Sequence, residues 1–146
     1  MLYLLQLFLL AQFSSSPDSK ADARPGLTIS ISGLKDTQHD LYIAVSRESE
    51  GFPDNPDMVK NFIISPAGQS RIGQTVSDLP YGRYAIMVYQ DLNGNHKLDK
   101  NLLGIPSEPF AFSNNYRPKF RAPHWSECAF DYSPTSTTVT ITILRM

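Results

Sequence analysis

The chain has 146 residues, with 13 Lys and Arg against 14 Asp and Glu, and a formal net charge of -1. That balance supplies no electrostatic argument for binding nucleic acid or an anionic membrane. The length suits one ordinary domain, and the single cysteine, Cys128, excludes an intrachain disulfide and reads as a buried, inert thiol.

The run Met1-Leu2-Tyr3-Leu4-Leu5-Gln6-Leu7-Phe8-Leu9-Leu10-Ala11 is apolar and of signal-peptide length, too short to span a bilayer. Ser14, Ser15, Ser16 and Pro17 follow, and Ala21-Asp22-Ala23 is a small-x-small cleavage candidate. No Lys or Arg precedes the run, so the usual positive n-region is missing. The expectation is a cleaved export signal over residues 1–23 and a periplasmic or secreted protein without a transmembrane segment. One domain is then expected over residues 27–144.

From there the pattern is strand-like. Leu27-Thr28-Ile29-Ser30-Ile31-Ser32 alternates apolar and polar residues up to Gly33, and Leu41-Tyr42-Ile43-Ala44-Val45-Ser46 follows a polar turn at residues 36–40. A helical turn is expected at residues 55–60, and weaker strands at 61–65 and 71–76. Tyr84-Ala85-Ile86-Met87-Val88-Tyr89 is apolar on both faces, as a central strand requires. A further weak strand falls at 129–132, and Val139-Thr140-Ile141-Thr142-Ile143 alternates cleanly. The fold predicted is an all-β, immunoglobulin-like or transthyretin-like sandwich of about seven antiparallel strands. Its core should hold Ile29, Ile31, Ile43, Val45, Ile86, Val88, Val139, Ile141 and Ile143.

After the central strand comes Asp91-Leu92-Asn93-Gly94-Asn95-His96-Lys97-Leu98-Asp99. Calcium takes carboxylate, amide and carbonyl oxygens, which loops supply from alternate positions. Asp91, Asn93, Asn95, the carbonyl of Lys97 and Asp99 fit that spacing, with Glu108 as a further donor. The fit is partial: His96 stands where a helix–loop–helix calcium site has glycine, and Leu102 where it has a bidentate Glu. Asn93-Gly94 also reads as a tight turn, which needs no metal. Lys97 is a rival to the cation, since its ammonium could neutralise one carboxylate. Both readings stand at this point.

Residues 101–127 form a long segment without periodicity. Loops of that length are commonly functional or disordered. Phe110, Phe112, Tyr116, Phe120 and Trp125 predict that this one is packed, capping an open end of the sandwich.

Gly51-Phe52-Pro53, Asp78-Leu79-Pro80-Tyr81-Gly82-Arg83-Tyr84-Ala85 and the Asp91-Leu92-Asn93-Gly94-Asn95 loop form an ordered series. Leu103-Gly104-Ile105-Pro106-Ser107-Glu108, Phe112-Ser113-Asn114-Asn115 and Ala129-Phe130 continue it. The series resembles a family of bacterial exported proteins catalogued as domain of unknown function 2141, over nearly the whole chain from Leu27 to Ile143. The resemblance implies a secreted or periplasmic sandwich and carries no established activity. Tyr81 and the basic stretch from Arg117 to Arg121 depart from the family pattern. Leu79-Pro80-Tyr81-Gly82-Arg83-Tyr84 also resembles the strand-opening motif of transthyretin-like and carboxypeptidase-regulatory-like sandwiches, where the aromatic builds a corner of the fold. The hydroxyisourate-opening relatives of transthyretin end in Tyr-Arg-Gly-Ser, whereas this chain ends Ile143-Leu144-Arg145-Met146.

Local catalytic patterns are sparse. His39, His96 and His124 show no zinc spacing, and there is no Gly-x-Ser-x-Gly elbow, phosphate-binding glycine loop or Cys-x-x-Cys pair. Cys128 and His124 would meet only on a helix, which Pro123 and the following strand argue against. Asp91, Asp99, Glu108 and Glu127 could instead converge for acid–base work on a glycoside. Three functions follow: a non-catalytic exported binding or adaptor module, calcium being the one cofactor suggested; an enzyme acting on an envelope or extracellular substrate; and a structural envelope protein docking through edge strands. Envelope proteins or glycans are the partners expected. Mass spectrometry of the native protein should find residues 1–23 missing, and an intact N-terminus in the cytoplasmic fraction would refute export.

Overall fold

The computed structural model describes residues 24–144. The export signal expected over residues 1–23 lies outside the described residues. Eight strands form two sheets packed face to face: β1 (Leu27–Ser32), β2 (Leu41–Ser46), β3 (Met58–Ile64), β4 (Ile72–Val76), β5 (Gly82–Gln90), β6 (Phe110–Phe112), β7 (Phe130–Tyr132) and β8 (Thr138–Thr142). One sheet runs β4-β1-β8. The other runs β3-β2-β5-β6, with β7 also paired to β5. The sandwich and its main strands are as the alternation predicts, but the strands are not all antiparallel as expected, since β1 and β8 pair in parallel.

Each sequence pattern has a packing cause. Leu27, Ile29 and Ile31 in β1 are fully buried, and the residues between them are half-exposed. Parallel pairing with β8 sets Ile29 beside Val139 and Ile31 beside Ile141. Antiparallel pairing with β4 sets Ile31 beside Ile72. Across the sandwich, Ile43, Val45, Ile86 and Val88 close the same core, and Ile143 joins it just past the end of β8. All nine core residues named from the sequence are buried. Period-two alternation identifies them because successive side chains in a strand leave on opposite faces.

Strand β5 is buried on both faces. Tyr84, Ile86 and Val88 point into the core between the sheets. Ala85 and Tyr89 belong to a second apolar cluster with Phe52, Phe110, Phe112, Trp125 and Cys128, against which Met87 packs. That cluster covers the outer face of the larger sheet, and most of it comes from the 101–127 segment and its end. The segment is therefore packed, but as a cover over a sheet face rather than a cap on the sandwich end. It contains β6, a 3-10 turn at Ser113–Asn115 and a one-turn helix, α1 (Trp125–Cys128). The buried Ser113 hydroxyl accepts from the Ile86 amide at 2.8 Å and donates to the Cys128 carbonyl at 2.5 Å, riveting the cover to β5.

Three expectations are corrected. The helical turn at residues 55–60 is absent, since β3 begins at Met58 and pairs with β2 from Ser46 back to Leu41. A helical turn does form at α1, because Pro123 lies ahead of it and the Glu127 carboxylate accepts the His124 amide at its start. Phe120 does not pack with the other aromatics and is 99% exposed. The Tyr84 hydroxyl donates to the Pro80 carbonyl at 2.8 Å, tying the start of β5 to the turn before it.

Truncating Ile86→Ala should cost about 2–5 kcal/mol in denaturant unfolding, from lost burial and the cavity left behind. The same change at Ile63, 61% exposed on β3, should cost less than about 0.5 kcal/mol.

Candidate functional site

The end of β5 organises the candidate site. Gln90 is fully buried. Its side-chain oxygen accepts from the Lys35 amide at 3.0 Å, and its nitrogen donates to the carbonyls of Asp36 and His39 at 3.0 and 3.2 Å. A buried primary amide with these bonds satisfied clamps the β1–β2 turn onto β5.

Asp91 follows on the chain and is also buried. One carboxylate oxygen accepts from the Gly94 amide at 2.7 Å and the other from the His96 amide at 2.8 Å. Burial pushes its pKa up, but hydrogen bonds from the amides of His96, Gly94, Asn95 and Asn93 outweigh this and hold it below its ordinary value. Gly94 takes φ +74°, the left-handed conformation the Asn93-Gly94 turn requires.

Of the six residues expected to bind calcium, five join one hydrogen-bonded unit through their side chains and the sixth, Lys97, through its backbone amide. Asn93 and Asn95 accept the amides of Asn95 and Lys97 through their side-chain oxygens and direct their nitrogens to Asp99, at 2.5 and 3.0 Å. Glu108, also buried, closes the loop from behind, accepting from the Leu92 amide at 2.8 Å and the Asp99 amide at 3.1 Å. Lys97 contributes its amide, while its side chain lines a neighbouring groove. Among the described residues Lys97 makes no ion pair, so the loop carboxylates meet N–H donors rather than its ammonium. Nor do three His, Cys, Asp or Glu side chains converge there as a metal-holding group. A cation would therefore need the asparagine oxygens as well as Asp91 and Asp99.

The other catalytic candidates are dispersed. Cys128 is free and buried, and burial, with a smaller push from Glu127, raises its thiol to about 12. His124 is exposed. Glu127 accepts two hydrogen bonds from Arg121 at 2.8 and 2.9 Å, one from the His124 amide and one from the Tyr116 hydroxyl. Arg121 first, and then that amide, bring its pKa to about 2. This holds Glu127 in the cover segment, apart from the loop unit of Asp91, Asp99 and Glu108.

The sequence reading missed a groove. It has a volume of about 1080 Å³ and a floor of Met87, Tyr89, Phe110 and Phe112. One wall is the 97–106 loop and the other the 117–123 stretch. Burial lifts the Tyr89 hydroxyl to about 12, so it stays protonated. Lys97, Lys100, Arg117, Lys119 and Arg121 line the groove, against Asp54 as the lining acid. Lys100 pairs with Asp54 and Arg121 with Glu127, leaving Lys97, Arg117 and Lys119 without an acidic partner among the described residues. The one signal in the sequence was the basic stretch from Arg117 to Arg121.

Fold and site together define a two-sheet β-sandwich whose acidic loop is locked by its own amides beside an aromatic-floored, cationic groove. The chain belongs to the family described as uncharacterized protein conserved in bacteria (DUF2141), whose profile matches residues 29–140. No curated protein and no solved structure matches the chain.

Replacing Asp91 by Ala should destabilise the protein by about 2–3 kcal/mol, because buried amides lose their acceptor. The lowered pKa means that Asp91 stabilises the fold above its unfolded value near 3.8 and ceases to as pH falls through its folded value. The stability gap between wild type and Asp91→Asn in urea titrations should therefore be full near neutrality and shrink in acid. A gap independent of pH would remove Asp91 as the titrating group.

Proposed function

We propose that this is an exported, non-catalytic binding module, periplasmic or secreted, built on a transthyretin-like sandwich. Its working surface is the groove between the 97–106 loop and the 117–123 stretch. One observation carries the reading: an aromatic floor of ligand-sized volume edged by three cations that no acidic residue among the described residues pairs with. An anionic ligand with an apolar body, presented by an envelope glycan or protein or free in solution, complements both features. The loop carboxylates favour binding over catalysis, since both oxygens of Asp91 and of Glu108 are engaged by backbone amides. A catalytic acid or base needs a free oxygen within reach of substrate.

A calcium-stabilised loop is the second part of the proposal, favoured by the convergence of Asn93 and Asn95 on Asp99. Calcium held by Asp91, Asn93, Asn95, the Lys97 carbonyl and Asp99, with Glu108 as outer support, would turn the asparagine oxygens inward and stiffen one wall of the groove. Millimolar calcium should raise the melting temperature by several degrees over chelator, as expected when a ligand binds only the folded state. Asp99→Asn should abolish the increase without disturbing the buried Asp91 cradle. Identical melting in calcium and chelator would remove the metal.

The groove is tested with anilinonaphthalene sulfonate, an aromatic anion that brightens in apolar surroundings. It should bind, and Arg117→Ala with Lys119→Ala should weaken it about tenfold, as expected on losing charge-assisted contacts. Equal binding by the double variant would refute the groove as the site.

A further inference from the structure

Four of the six large apolar side chains that stand exposed among the described residues occupy two loop tips: Leu102, Leu103 and Ile105 on one, Phe120 on the other. Leu102 is 106% exposed, Leu103 83% and Phe120 99%, so these side chains pack on nothing within the fold. Leu103, Ile105 and Phe120 all line the one groove, which brings the tips to the same end of the molecule. Scattered exposed apolar residues need no account, but several gathered at one end of a sandwich mark a contact surface.

Both tips are held in shape. The Asn101 side-chain oxygen accepts from the amides of Leu103 and Ile105 at 2.9 and 3.1 Å, while the Asn101 amide donates to the Ile105 carbonyl at 2.8 Å. The Phe120 tip is anchored by the paired hydrogen bonds from Arg121 to Glu127. A contact surface that is already ordered loses little entropy on binding.

Charge decides the partner. The acids closest in sequence are turned onto N–H donors of the loop, Glu108 buried against backbone amides and Asp99 bonded to Asn93 and Asn95 nearer the surface. What remains beside the apolar tips is Lys97, Arg117 and Lys119. Although the net charge is -1, three cations without an ion-pair partner among the described residues thus flank the apolar tips. Side chains that offer aliphatic and aromatic tips with flanking cations match the boundary between acyl chains and anionic headgroups. Leu102, Leu103 and Ile105 have no counterpart on a polysaccharide, whose hydroxyls need hydrogen-bond partners.

We propose that this end of the protein docks on an anionic lipid bilayer, Leu102, Leu103, Ile105 and Phe120 entering the interface while Lys97, Arg117 and Lys119 meet the phosphates. The inference rests on the loop end being the working surface, and it specifies a lipid surface as the ligand there.

The test uses the full chain with a reporter at the tip, so that binding through residues 1–23 is not mistaken for docking. In Phe120→Trp, emission should shift to shorter wavelength with vesicles of equal parts phosphatidylglycerol and phosphatidylcholine, and stay unshifted with phosphatidylcholine alone. Adding Leu103→Ser should lower the partition coefficient about tenfold, from the lost apolar insertion. Adding Lys119→Glu should lower it at least about fivefold, an effect that high salt erases. Leu103, Lys119 and Phe120 lie outside both buried clusters, and melting temperature confirms that each variant folds. Absence of a shift on anionic vesicles at low salt overturns the proposal, as does a partition coefficient unmoved by both added substitutions. Retention on a soluble acidic polysaccharide without a vesicle shift also overturns it, in favour of a glycan. If the naphthalene sulfonate binds in the groove and the vesicles give no shift, the bilayer is excluded while the groove stands. If neither binds, both readings fall.

Discussion

Burial of β5 on both faces is the constraint from which the rest of the molecule follows. A strand in a two-sheet sandwich ordinarily gives one face to the core and the other to water. Here Ile86 and Val88 fill the core while Ala85 and Tyr89 face outward in a cluster with Trp125 and, from the neighbouring strand, Phe110 and Phe112. An apolar outer face has to be covered, and the chain does so with residues 101–128 instead of a short hairpin. β6 extends the sheet beside β5, and Ser113 bonds both to the β5 backbone and to the end of α1. The cover must then travel out and back, and its turning points become the loop tips that edge the groove.

Where β5 ends, the apolar logic gives way to polar accounting. Gln90, Asp91 and Glu108 are buried, and each is bonded to backbone groups of a neighbouring turn. Buried polar side chains are costly when unpaired and rigidifying when fully satisfied. The neighbouring loops are tied to the end of one strand in this way. The stacked rings of Tyr42 and Tyr89, 4.8 Å apart and nearly parallel, brace the same end, and the Tyr42 hydroxyl bonds His96. The groove therefore has a rigid frame on its loop side, which suits recognition more than the movement a closing active site would need.

The distribution of charge bears on function more than its sum. Acidic groups here have structural partners: Asp91 and Glu108 are buried on backbone amides, Glu127 pairs with Arg121 and Asp54 with Lys100. Among the described residues, the groove-lining charges without an ion pair, Lys97, Arg117 and Lys119, are positive. A carboxylate serves well as a local acceptor for amide donors, whereas Lys and Arg carry their charge on long stems that reach solvent. Structural use of acids thus leaves cations to define the exposed potential.

The sequence by itself determined the strands and the core. Alternation at Ile29 and Ile31, at Ile43 and Val45, and at Val139 and Ile141 is a local property, and it maps directly onto the two faces of a pleated strand. The doubly apolar run around Ile86 and Val88 announced a central strand for the same reason. The Asp91 loop was legible as a turn of alternating oxygen donors, because an Asx turn is made within a few residues. Only the tertiary structure decided what surrounds those elements. Glu108 reaches the Asp91 loop through long-range folding, and nothing in its neighbouring residues indicates that its carboxylate would receive the Leu92 and Asp99 amides. The aromatics of residues 101–127 carry no period, so Phe110 and Phe120 look alike in sequence although one is buried and the other wholly exposed. Which of them faces solvent depends on the outer surface of β5, and that surface exists only once the sheet has formed.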